Sequence, residues 1–245
     1  MTGKVRRSSA AALARADRLL AGDPAVDALE LYFGGRYTGA WFDAVGRRTD
    51  PATGAAIDHE PNRITIEDLL ALALLDAPLR PVEMLDLLAL NRGLDLLLGR
   101  IDRDLALAAA PGARQRSVSP WGAADEAYWL LRTVRGVGRG RASKILARKR
   151  PHLIPIWDRH VAEGLGIQSP DSYWGVVQDV VLAHGDRLHE LRDELRSRHH
   201  DPGRIQGLSI LRVLDIVVWM RVHGADLVQG ADELKIGPKA LNKRY

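Results

Sequence analysis

Apolar residues recur at helical spacing through most of the chain. An alanine-rich helix is predicted over 8–21, and Asp23-Pro24 supplies the N-cap and first residue of another that runs to about Tyr32. Thr65, followed by Glu67 and Asp68, opens a strongly helical segment carrying Ile66, Leu69, Leu70, Leu72, Leu74 and Leu75. Pro81 starts a helix through Leu90, a third covers about 93–109, and another spans 123–134. Beyond Val161 the period stays helical over 173–184, 185–198 and 203–223. The last of these, GRIQGLSILRVLDIVVWMRVHG, is apolar almost all round, the mark of a helix inside a core. Its Arg212 and Asp215 stand at i,i+3 and read as a local ion pair. The exception is 33–63, rich in Gly and aromatics, which reads as a loop with a short hairpin. There is no repeat and no sustained alternation, so the fold class is all-α.

The punctuation divides the chain into an N-terminal part (1–64), a helical lobe (65–165), helices that pack back on the N-terminal part (166–224), and a polar basic tail (225–245). Residues 111–120 read as a linker within the lobe.

At 245 residues, 46% apolar and 27% charged, the composition is that of a folded globular protein. Cysteine is absent, which excludes disulfides, thiolate zinc sites, cysteine nucleophiles and cysteine-held iron–sulfur clusters. The N-terminus lacks an apolar leader core and no stretch reaches membrane-spanning length, so a soluble cytoplasmic protein is expected, with no membrane partner. Nothing in the sequence asks for a cofactor or a metal.

Charge changes the picture more. Between Arg132 and Arg150 stand eight cations (Arg132, Arg135, Arg139, Arg141, Lys144, Arg148, Lys149, Arg150) and no acid, whereas the whole chain is only +4. The remainder is therefore net acidic. Such a run reads either as a solvated helix face or as a patch that meets a polyanion.

The same stretch, GVGRGRASKILARKRPHLIPIWDRHV (136–161), suggests which. Gly136, Val137 and Gly138 lie in a short turn between two helices, where one helix must end and the next begin within about four residues, with Gly140 and Ala142 following in the pattern. Val137 would glue the helices together and Ala142 would let them approach. Unpaired N–H groups at the start of the second helix form an anion site suited to a phosphate, with Arg139, Arg141 and Lys144 beside it and Arg148 and Lys149 further along. The helix-hairpin-helix, a DNA-backbone clamp spanning about 128–150, is the motif this resembles. With four to six phosphate contacts, the slope of log K against log[salt] would be about −4 to −5.

Asp158 follows Gly138 by 20 residues, after Leu153-Ile154-Pro155-Ile156-Trp157 and with Val161 three positions on. That arrangement is similar to the helix-hairpin-helix-GPD superfamily of base-excision DNA glycosylases, whose adenine-specific mismatch members read G-V-G-x-x-x-A and then P-I-x-D-x-x-V. The resemblance covers about 125–165 and implies a two-lobed helical glycosylase-like fold. It also implies hydrolysis of an N-glycosidic bond in DNA, with Asp158 stabilising charge on the sugar or activating water. Where lyase-active members carry a Schiff-base lysine, this chain has Gly140, so the implied enzyme is monofunctional. ARKRPHLIPIWD is also similar to a group of actinobacterial proteins with a helix-hairpin-helix-like core, a likeness that supplies no function.

Each candidate has a plainer alternative. Asp158 equally serves as the N-cap of the helix after it, leaving a non-catalytic DNA-binding module. A third alternative has the basic helix meeting an acidic protein. Asp125 and Glu126 read as helix-dipole acids or an acid/base pair, and His160 as a surface histidine or a donor to base or phosphate. His199-His200-Asp201 only superficially resembles a metal cluster. Tyr32, Tyr37, Trp41 and Phe42 read as packing under a loop or as the wall of a base pocket, and Trp121, Tyr128 and Trp129 as core packing against the hairpin.

Overall fold

The computed structural model describes residues 3–49, 56–110, 121–199, 202–205 and 207–224, and within them the protein is all-α apart from one two-residue ladder. The linker 111–120 and the tail 225–245 lie outside the described residues.

Helix α1 (Gly3–Leu20) puts Ala12, Ala16 and Leu20 on one buried stripe. Small side chains there let it lie close along α9 (Tyr173–Arg198). Gly22 rather than Asp23 is the N-cap of helix α2 (Asp23–Leu31), which has Pro24 in its first turn and buries Val26 and Leu29. A π turn (Tyr32–Arg36) and a 3-10 turn (Thr38–Trp41) follow, and then the antiparallel ladder of β1 (Arg48–Thr49) with β2 (Ala56–Ile57). The short hairpin expected in 33–63 is this ladder.

Thr65 caps α3 (Ile66–Leu74) in a reciprocal box: the Asp68 amide donates to Thr65 Oγ1, and Asp68 Oδ2 accepts from the Thr65 amide. Then come α4 (Pro81–Ala89), α5 (Asn91–Leu98), α6 (Trp121–Arg132), α7 (Arg139–Lys149), α8 (Arg159–Leu165), α9, α10 (Pro202–Ile205) and α11 (Ile210–Trp219), which ends in a π turn, Met220–Gly224. The core is continuous from α1 and α2 through α6, α9 and α11. Among the described residues no helix is long and apolar enough to cross a membrane.

Three predicted boundaries differ. The helix expected over 93–109 stops at Leu98, and Arg150 takes the carbonyls of Leu98 and Ile101 there. Helix α9 runs unbroken through Gly185, because Leu188, Leu191 and Leu195 continue the stripe of Val177 and Val180. A helical glycine costs about 1 kcal/mol, less than that stripe gains by burial. The predicted 203–223 helix is instead α10 and α11, divided where Ser209 accepts from the Arg212 amide and caps a new start.

Candidate functional site

The turn between α6 and α7 brings the glycine segment together as the spacing suggests. Val137 is buried, its amide bonds the Val134 carbonyl at 3.0 Å, and Ala142 is fully buried in the first turn of α7, which packs on α6. Only one glycine is demanded by conformation. Gly136 has φ +88°, and a Cβ there would lie 2.0 Å from Glu83 Oε1. Gly138 has φ −81° with open space where a Cβ would stand. It precedes α7 with no side-chain cap, so the first N–H groups of that helix face outward.

The basic run does not form one surface. Arg148 is 4% exposed, its Nε 2.9 Å from Asp68 Oδ1, with further bonds to the Phe42 and Val45 carbonyls. Lys149, 3% exposed, lies 2.5 Å from Asp68 Oδ2 and 3.2 Å from Asp58 Oδ2. Arg150 bonds Asn62 Oδ1 at 2.7 Å and the Pro61 carbonyl at 2.9 Å, and desolvation helped by nearby Arg103 brings its pKa down to about 10. Arg148 and Lys149, expected at phosphates, are thus internal cations. They neutralise Asp58 and Asp68, which the sequence run itself lacks. Arg141 is tied to the Gly136 and Pro78 carbonyls at 2.5 and 2.6 Å. Arg132 lies over the Trp129 ring at 4.6 Å, and Trp129 is half exposed rather than packed in the core. Half-buried Arg132, exposed Arg135 and half-buried Arg139 remain around the α6–α7 turn.

Lys144 turns the other way, into a cleft of about 300 Å³ that Asp158 also lines. Asp158 gets there through neighbours that pin its strand-like approach. Ser143 Oγ accepts from the Trp157 amide at 2.8 Å and donates to the Gly140 carbonyl at 3.0 Å. The Tyr173 hydroxyl donates to the Ile156 carbonyl at 2.7 Å. Asp158 does cap α8, its Oδ1 accepting from the His160 and Val161 amides at 2.8 and 3.4 Å. Cap and cleft wall are therefore the same carboxylate.

One wall of the cleft is a chain of rings. Tyr32 stacks on Tyr37, Tyr37 meets Trp219 edge-on, Trp219 meets His223, and His223 stacks on His160 at 4.1 Å. Of the four loop aromatics, Tyr32 and Tyr37 line the cleft; Phe42 is core, and Trp41 lies under the Arg204 guanidinium. The floor is charged. Buried Arg212 reaches Asp43 Oδ2 at 3.0 Å, the Tyr32 hydroxyl at 2.7 Å, and Asp215, the local pair that i,i+3 spacing predicts. Burial pushes the Tyr32 phenol up to about 12. Lys144 donates to the Leu75 carbonyl at 2.9 Å, and desolvation lowers its pKa while Asp158 and Asp215 oppose that. Asp76, at the rim, holds φ +50°, a left-handed conformation uncommon for a residue with a side chain.

The other candidates lie elsewhere. Glu126 pairs on the surface with Arg100 at 3.5 Å, and Asp125 does not line the cleft. His199 Nε2 lies 3.1 Å from the Phe33 carbonyl, His200 and Asp201 are outside the described residues, and no metal-ligand cluster occurs among those described. Sequence reasoning misses Trp219 and His223, whose i,i+4 spacing is the available signal, and it reads Arg212–Asp215 as no more than a pair.

A family model matches residues 25–222, and the chain belongs to that family, DUF6308, a family of unknown function. No curated protein and no solved structure matches it.

Proposed function

We propose that this member of the DUF6308 family is a monofunctional DNA glycosylase, hydrolysing the N-glycosidic bond of a damaged or modified base without a cofactor. The observation that carries the reading is Asp158 lining an aromatic-walled cleft, with its neighbour Trp157 held against the first turn of α7 through Ser143. A cleft of this size suits one base swung out of the duplex, and the Tyr37 and Trp219 rings offer it stacking surfaces. The Asp158 carboxylate, held by two amides, would stand against the positive charge that develops on the sugar as the bond breaks. Duplex phosphate would meet the N–H groups at the start of α7 with Arg132, Arg135 and Arg139, a smaller grip than the basic run suggests.

A second reading has its own support, since Asp158 also caps α8 and a cap alone would leave a non-catalytic DNA-binding module. Asp158→Asn separates them: asparagine caps about as well as aspartate, so the fold survives while the charge at the cleft is lost. Release of free base that vanishes in this variant supports the hydrolase. DNA binding without release in either protein supports the module.

A further inference from the structure

We infer that Asp215 is the proton donor to the departing base, an inference that rests on the hydrolase reading above. Breaking the bond from a sugar to a neutral base makes two demands at once. Negative charge must face the sugar carbon, and the base nitrogen that receives the bonding electron pair must be relieved by a proton. Asp158 is committed to the first, so a second acid is needed in the same cleft.

Asp215 has the surroundings of such an acid. Its side chain is 12% exposed. Its hydrogen-bonded partner is Arg212, through Oδ2. But that guanidinium also serves Asp43 Oδ2, the Tyr32 hydroxyl and the Gly39 carbonyl. One hydrogen-bonding cation therefore serves two carboxylates in a buried place, and their charge is only partly offset there. A proton removes the remainder at least cost. The other elements compensate only in part. From α7, Lys144 pulls the Asp215 carboxyl down, less than Arg212 does, while donating to the Leu75 carbonyl; from the α8 cap, Asp158 adds a like charge; from α9, Tyr173 gives its hydroxyl proton to the Ile156 carbonyl. Burial pushes the Asp215 carboxyl up, Arg212 pulls it down and Asp158 pushes it up again, leaving it at about 6. Two carboxyls in unlike surroundings can thus divide the labour.

In the step, the bond from sugar C1′ to nitrogen breaks and its electrons go to the base. The Asp215 proton passes to a ring nitrogen of that base. Water adds to C1′ and loses its proton to Asp158, which returns it to solvent, from which Asp215 is protonated again.

The test is single-turnover release from duplexes carrying a neutral base (deaminated adenine) or a cationic one (7-methylguanine), in the wild type and Asp215→Asn. A cationic base leaves as a neutral molecule and needs no donor. The expected result is a neutral-to-cationic rate ratio lowered roughly 100-fold in the variant. In the wild type, the same ratio falls as pH rises through about 6. Cationic-base release also reports that the variant folds. Equal slowing of both bases would make Asp215 a structural residue and overturn the donor role. Carboxyl carbon NMR gives a second readout, with a resonance of midpoint about 6 that disappears in the variant. Base release by a wild type whose Asp215 titrates in the ordinary carboxylate range would overturn the donor role alone. No release from any duplex would overturn the hydrolase reading with it.

Discussion

Arg148→Ala and Arg139→Ala, compared side by side, separate an internal cation from a DNA contact. Arg148 is 4% exposed and holds Asp68, itself 2% exposed, together with the Phe42 and Val45 carbonyls. Truncation leaves two carbonyls short of a donor and Asp68 with Lys149 as its remaining ion-pair partner. Removing one partner of a buried pair costs about 3–5 kcal/mol. The intact Lys149 contact argues for the lower end, so a loss of about 3 kcal/mol is expected, equivalent to roughly 6–12 °C in Tm for a chain of this size. Arg139, half-buried at the α7 start, should change stability by less than about 0.5 kcal/mol. It should instead flatten the salt dependence of DNA binding by about 0.9 in slope. Urea unfolding measures the first quantity and a titration of duplex binding across salt concentrations the second. An Arg148→Ala protein of unchanged stability with a flattened slope would refute the internal role.

Other consequences can be checked as directly. With Arg132, Arg135 and Arg139 as the phosphate contacts, the slope of log K against log[salt] should lie near −2 to −3 rather than −4 to −5, and binding titrations read it. Gly136→Ala should cost more than about 2 kcal/mol, because φ is +88° and Glu83 occupies the Cβ position. Gly138→Ala should be neutral or stabilise by up to about 1 kcal/mol in the same unfolding assay. Burial works to raise the Asp58 pKa, but Arg47 and Lys149 outweigh it and the net shift is downward. Its folded value is below its unfolded one, so its stabilisation is present above the ordinary carboxylate range and lost as pH falls through the lower folded value. In Asp58→Asn that part of the acid dependence of unfolding should disappear.

Features set by near neighbours along the chain are legible in the amino-acid sequence. Thr65 with Asp68, the Val137 and Ala142 positions and the cap role of Asp158 all depend on residues within about four positions, and each is present in the fold. The basic run misleads for the opposite reason. The acids that neutralise Arg148 and Lys149, Asp58 and Asp68, come some 80–90 residues earlier, and no local pattern couples them. The cleft shares that difficulty. Its wall joins Tyr37 to Trp219 and His223 across most of the chain, and the α11 segment that carries the latter two has the apolar pattern of plain core.

Mass spectrometry of free bases reads whether Asp158 serves hydrolysis of a glycosidic bond. Alkylated, deaminated, oxidised and mismatched duplexes would be incubated with the wild type and with Asp158→Asn. Release of a base by the wild type, lost in a variant that unfolds at nearly the same urea concentration, is the predicted result. Absence of release from every duplex, with salt-sensitive binding equal in both proteins, would contradict it and leave Asp158 as the cap of α8.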